Sequence, residues 1–424
     1  MKKLLPALAA ALVATACSPQ KICSADERLC SDSCVSLQSD PRNCGACGNA
    51  CGAGQGCSLG VCVDCGANGE GCKADVLAAC FNANQVRAFD TSLAAVGAPV
   101  TTAAGPASLA ALGGAVYVAD NTGGAVEQVT SPTATAVASV TGGSFNDLEH
   151  LGAYNGLLYV TNWAVGSFVA IDPAGKKVVD EMSLSVGGDA PNPLGFDFAN
   201  AKAYVALATG AGASPNGLAV VDLSIVPPWG KTKPAVKRID LSSFAFQGVN
   251  PGTVRVLASA DGTRVFVTMN DLFDATFQPV PGATGRLVVV DTSTDAVVGG
   301  TAVDLGASCL DPSGMALSGT TLWITCGYTA YNATFTAVTG VGGALLPVDV
   351  SGVTPVPGTA IPVADHALSS VTICGTRGYA GAADSGTLVS FDPSAHTVTA
   401  VSKTACPADP VSGFSAILDV ACAL

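Results

Sequence analysis

Asp147-Leu148-Glu149-His150 gathers two carboxylates and an imidazole within four residues, the groups from which general acid–base catalysis is assembled. With Arg255 they make the trio Glu149, His150 and Arg255, the first residues to examine for hydrolysis. Asp365-His366 sets a second acid beside a second imidazole, and the third and last histidine, His396, lies in a turn after Asp392-Pro393. Three histidines are few for metal catalysis, and metal ligation is not expected. No Gly-x-Ser-x-Gly elbow, His-Glu-x-x-His, phosphate loop or Cys-x-x-Cys-His haem site occurs, so any catalytic group must be assembled by the fold rather than by a linear motif.

Cysteine is the other chemistry-bearing residue. Of 17 in the chain, ten fall in one segment: Cys23, Cys30, Cys34, Cys44, Cys47, Cys51, Cys57, Cys62, Cys65 and Cys72. Cys44-x2-Cys47 and Cys62-x2-Cys65 have zinc-ribbon spacing, and Cys44-Gly45-Ala46-Cys47 has the gap of a redox pair. The compartment decides among zinc, redox and disulfide. Met1-Lys2-Lys3, the apolar run Leu4–Val13 and Ala14-Thr15-Ala16 read as a secretory signal over 1–16. Small residues before Cys17 resemble a lipoprotein box, with Ala14 where leucine is usual; acylating Cys17 leaves sixteen cysteines, which can all pair. Disulfides are therefore expected throughout 23–73, after a lipid tether at 17–22. The chain is expected to be exported, as a lipoprotein of the outer membrane or cell surface, with a periplasmic or secreted form as the alternative.

The rest of the composition is strand and turn chemistry. Charged residues make up 12%, glycine numbers 49, and Val, Thr and Ala outweigh the helix formers. A formal charge of −13 excludes nucleic acid as a partner, and after the signal no apolar run is long enough for a membrane span.

The elements that must position these residues repeat. A strand with a central aromatic recurs at Val116–Asp120, Leu158–Asn162, Ala203–Ala206, Val265–Thr268, Leu322–Thr325 and Gly378–Gly381, with Leu77–Phe81 a degenerate copy. Each is followed by a short apolar strand that usually ends in aspartate (Asp90, Asp172, Asp222, Asp291, Asp349, Asp392) and preceded by a turn, several with Asx-Pro. Four strands per unit and seven units predict an all-β, seven-bladed propeller over 75–424. The first strand near Asp75–Phe81 is the second of its blade and the last, Gly413–Leu424, has nothing after it, so the tail is expected to complete the first blade.

Ser39-Asp40-Pro41-Arg42-Asn43-Cys44-Gly45-Ala46-Cys47-Gly48-Asn49-Ala50-Cys51, with Gly60-Val61-Cys62 after it, resembles the stigma-specific protein family and the Cys-rich repeats of bacterial exported proteins. That resemblance implies an extracellular interaction or spacer module. Tyr159-Val160-Thr161-Asn162 and Gly285–Val298 resemble the YVTN family of seven-bladed propellers, which implies surface-layer proteins, periplasmic binders or lactonase-like enzymes. The tryptophan repeats of quinoprotein propellers are missing, since only Trp163, Trp229 and Trp323 occur.

On this frame Cys309 and Cys326 flank two strands of one blade and are expected to pair. Cys80 with Cys422 would crosslink the closure, leaving Cys374 with Cys406; Cys80 with Cys406 is the alternative. The entry turns would set Asp147, Asn192, Asn250, Asp311, Asp365 and Asp409 around the channel, where they either hold Ca²⁺ or water or simply cap turns. Long links at Thr209–Gly217, Asn270–Gly285 and Gly327–Gly343 share that face and bring Phe273, Phe277, Tyr328, Tyr331 and Phe335, either as recognition anchors or packed on their own loops. The favoured function is a non-catalytic, lipid-anchored binding protein for a cell-envelope protein or glycan, with the knot as a stalk. The alternative is a lactonase-like or sugar-acid enzyme at the channel mouth.

Overall fold

The computed structural model describes residues 23, 27–52, 54–64, 74–130, 134–140, 147–208, 217–245, 251–270, 282–331, 338–410 and 413–423. The expected signal over 1–16, the expected tether with Cys17, Cys65, Cys72, Asn250 and most of two long links lie outside them.

Seven antiparallel sheets follow one another as blades. Blade 1 pairs Ile417–Cys422 with Val76–Cys80, then Gln85–Phe89 and Val100–Thr101. Blades 2, 3 and 4 begin at the inner strands Pro106–Leu112, Leu148–Tyr154 and Asn192–Ala199; blades 5, 6 and 7 begin at Thr253–Ala258, Asp311–Ser318 and Leu368–Cys374. The tail strand does complete the first blade, although it starts at Ile417. Ring closure in this way removes the open sheet edges that would otherwise invite aggregation.

Two repeated signals acquire physical reasons. The aromatic of each second strand fills the space between blades: Tyr159, Tyr204, Phe266, Trp323 and Tyr379 are buried. Tyr159 stacks on Phe168 at 5.2 Å and meets Phe198 of the next blade at 5.4 Å. Tyrosine keeps its hydroxyl satisfied at the blade edge, Tyr204 donating to Asp295 at 2.6 Å and Tyr379 to Asp75. The aspartate closing six of the third strands caps the next turn: Asp90, Asp222, Asp291, Asp349 and Asp392 accept from the amide two residues on at 2.8–2.9 Å, and Asp172 from Gly175 at 2.9 Å.

The expected closure bridge is corrected. The structure pairs Cys80 with Cys406 and Cys374 with Cys422, beside Cys309 with Cys326. In the antiparallel register Cys80 lies opposite Ile417 and Cys422 opposite Val76, so Cys80 and Cys422 stand at opposite ends of one ladder. Each end of the seam therefore receives its own bridge to blade 7 or its exit link.

The N-terminal module has two hairpins, Arg28–Cys30 with Ser33–Val35 and Gln55–Ser58 with Val61–Asp64. Its bridges interleave as Cys23–Cys34, Cys30–Cys47, Cys44–Cys57 and Cys51–Cys62. Cys44, Cys51 and Cys62 are the one group among the described residues close enough to chelate a metal, and all three sulfurs are already bonded.

The module is not a free stalk, which corrects the spacer expectation. Leu59 and Val63 join the core of blade 1 with Leu77, Val86 and Val100. Gln38 Nε2 donates to Gly114 O at 3.3 Å in the tight turn of blade 2. Leu59 is 4% exposed, so the docking hides apolar surface that a lone knot would leave in water. These contacts lie on the face of first-to-second and third-to-fourth turns, opposite the entry links and the second-to-third hairpins.

Candidate functional site

The channel is shaped by one device repeated seven times. Every inner strand shifts register near its start, a β-bulge repeated in all seven blades. Second-strand threonines satisfy the displaced amides: His150 N donates to Thr161 Oγ1 at 3.1 Å, Arg255 N to Thr268 Oγ1 at 3.2 Å and Gly314 N to Thr325 Oγ1 at 2.7 Å.

At bulge level the polar groups converge. Arg255 reaches across from blade 5 and donates to His150 Nδ1, with its other amine 4.0 Å from Asp419 Oδ1 on the closing strand. Asp419 accepts Leu109 N at 2.8 Å and Val420 N at 3.0 Å. The Ser108 hydroxyl lies 3.2 Å from Asp419 and 3.3 Å from His150 Nδ1, and accepts Leu151 N at 3.1 Å. Gly195 clears the path of Arg255, because a methyl there would sit 2.8 Å from Arg255 Cδ.

Burial, then the Arg255 charge, holds His150 well below the ordinary imidazole range, so its ring is the neutral acceptor the arginine requires. Burial pushes Asp419 up, with Arg255 opposing. Ser, His and Asp are all present but are not wired as a nucleophilic triad: the serine stands between the other two and is fully buried. The cluster fastens blades 1, 2, 3 and 5 across the axis.

Above it, Asn121 Nδ2 donates to Asp147 Oδ1 and to Glu149 Oε1 at 3.2 Å. Glu149 is pushed up to about 7, first by burial and then by the Asp147 charge, with Arg255 opposing. Asn270 holds Asp311 at 2.9 Å in the same fashion. Asp147 and Asp311 thus latch the entry of one blade to the asparagine that follows the second strand of the blade before it.

The other described members have local partners. Asp365 and His366 stand out on blade 7, where Ser385 lies 3.2 Å from His366 Nδ1 and Asp384 4.0 Å away. Asp409 lies seven or more residues before its strand, in a link where Gly413 N donates to its carbonyl at 2.8 Å. His396 is exposed, its ring edge-on to Trp323 at 5.2 Å.

Sequence reasoning missed Ser108 and Asp419, whose meeting needs the closure register, and the Asp120–Glu127 pair. Both acids of that pair are buried in blade 2, and Asp120 is pushed up to about 8 by burial and then by Glu127. A carboxylate ending the otherwise apolar Val116–Asp120 was the available signal.

The second location is the blade 6 hairpin. Thr321–Tyr331 and Val338–Asp349 pair out to Tyr331 opposite Val338, whereas the inner strand stops at Asp311 opposite Gly327 and the outer one at Pro362 opposite Ala344. The hairpin thus stands above the blade. At its base is a cavity of about 360 Å³, bounded by Ser308, Leu310, Tyr328, Ala360 and Pro362, with no Asp, Glu, His, Lys or Arg among the described residues of its wall.

Tyr328 is 37% exposed, and its ring lies over Gly342 across the ladder. The same face carries Trp163 at 38% and Phe414 at 70% exposure, neither singled out from sequence. Phe273, Phe277 and Phe335 lie outside the described residues, as does the side chain of Tyr331, whose backbone ends the ladder.

A model of the stigma-specific STIG1-like protein family matches residues 11–65. No curated protein matches the chain. A solved protein from Lactobacillus plantarum is similar in fold, at TM-score 0.56 and 13% identity over 82% of this chain and 99% of that one. Hydrazine synthase of Kuenenia stuttgartiensis (TM-score 0.49, 15% identity, 68% of this chain and 76% of that one) and virginiamycin B lyase of Staphylococcus aureus (0.47, 10%, 69% and 83%) are more distant.

Proposed function

We propose that the protein is an exported, lipid-anchored, non-catalytic binding protein of the YVTN propeller type, tethered at one face and recognising a cell-envelope protein or glycan with the other. The observation that carries this is the opposition of the two faces. The disulfide module packs on the first-to-second turns, while Trp163, Tyr328 and Phe414 stand exposed on the hairpin face. A lipid on Cys17, six residues before Cys23, would leave the aromatic face directed outward. Export fits a chain of 17 cysteines whose described residues carry seven disulfides. The test compares retention of cell-envelope material by the oxidised protein and by its Trp163→Ala, Tyr328→Ala, Phe414→Ala triple variant. Retention should fall at least tenfold; equal retention overturns the reading.

A hydrolytic reading has one specific observation in its favour, the gathering of Asp147, Glu149, His150 and Arg255 at the channel. It predicts lactone hydrolysis that Glu149→Gln abolishes and that follows a group titrating near 7. A wild-type protein inert toward lactones removes it.

A further inference from the structure

The cavity at the base of the blade 6 hairpin has a lining that selects among ligand chemistries. Its described wall residues include no Asp, Glu, His, Lys or Arg, so among them a charged ligand would lose its hydration with no partner in return. The formal charge of −13 on the whole chain further disfavours polyanions. Small residues dominate the wall: Gly327, Gly342 and Gly343 expose backbone where an aromatic pocket would show large side chains, and Ser308 adds a hydroxyl. One large ring, that of Tyr328, stands at the cavity and half out of it. Gly342 makes its position possible, since a methyl there would lie 2.6 Å from Tyr328 Cε1.

A ligand with an apolar face, a rim of hydroxyls and no charge fits a wall of one aromatic ring, small apolar residues and one serine hydroxyl. A cavity of about 360 Å³ is at the small end of the range that holds ligands. We propose that this cavity binds one uncharged sugar ring of an envelope polysaccharide, with Tyr328 stacked on the sugar face and Gly342 setting the angle of the tyrosine. The proposal rests on the reading of the hairpin face as the recognition face and names what that face recognises.

The oxidised full chain is titrated by calorimetry and saturation-transfer NMR with maltotriose and chitotriose as neutral probes. Trigalacturonic acid is the charged probe and N-acetyl-tryptophanamide the aromatic one. One neutral trisaccharide should saturate a single site, with trigalacturonic acid at least tenfold weaker. Tyr328→Ala should weaken binding at least tenfold, Tyr328→Phe less than threefold and Gly342→Ala three- to tenfold, all with unchanged thermal midpoints. Tighter binding of N-acetyl-tryptophanamide than of either sugar overturns the proposal in favour of a peptide ligand. So does indifference to Tyr328, or the failure of both sugars to saturate. If the sugars fail while envelope material is still retained through Trp163 and Phe414, the sugar assignment alone falls; if retention is lost as well, the recognition face falls with it.

Discussion

Removing the Cys80–Cys406 bridge should cost far more than removing Cys309–Cys326, although all four sulfurs are equally buried. The first closes 326 residues and the second 17. Loop-closure entropy grows with the logarithm of loop length, giving about 5.8 kcal/mol for the long loop and about 3.1 for the short one. Cys374–Cys422 closes 48 residues and falls between them, at about 4.1 kcal/mol. Alanine at both positions of a pair leaves no buried hydroxyl, and near-complete burial in each case makes the cavity terms cancel to first order. Guanidinium unfolding under non-reducing conditions should therefore rank the double variants, with C80A/C406A lower than C309A/C326A by roughly 2–3 kcal/mol. Equal losses, or the reverse order, would refute the claim that this bridge closes the ring.

Three further outcomes follow from the packing. Asp120, pushed up to about 8, keeps a proton in the folded state that an ordinary unfolded aspartate loses near 4, so stability should fall as pH rises between those values, by at most about 1.4 kcal/mol per unit. Asp120→Asn should flatten that slope in thermal melts from pH 5 to 8. Arg255→Met removes the cation beside Asp419 and should destabilise by about 2–4 kcal/mol in chemical denaturation, with Asp419→Asn restoring part of the loss. Gly195→Ala forces Arg255 aside and should cost about 1–3 kcal/mol by the same measurement, while Gly352→Ala, whose added methyl meets nothing nearer than 3.6 Å, should cost far less.

The repeat was legible because blade-forming signals are local. An aromatic flanked by β-branched residues, an aspartate capping the next turn and an orphan strand at each end together imply seven blades and a shared closing sheet. Pairing across the seam was not legible, since it depends on which end of a ladder each cysteine occupies, and only the register of Cys80 with Ile417 settles that. Ser108 and Asp419 are 311 residues apart and carry no motif, so their contact exists only once the ring closes. Leu59 and Val63 belong to no pattern in the cysteine-rich segment; their meaning lies in blade 1, whose core they join. The Asx residues were legible as a pattern but ambiguous in role, because capping a turn and latching a neighbouring blade use the same side chain.

Hydrogen–deuterium exchange of the oxidised chain, with and without saturating envelope material, tests most directly which face does the binding. Protection should appear in the amides of 162–167, 327–331 and 413–416, around Trp163, Tyr328 and Phe414, and leave 112–115 and the module unchanged. Protection confined to the module and the turns it covers would contradict the assignment of opposite faces.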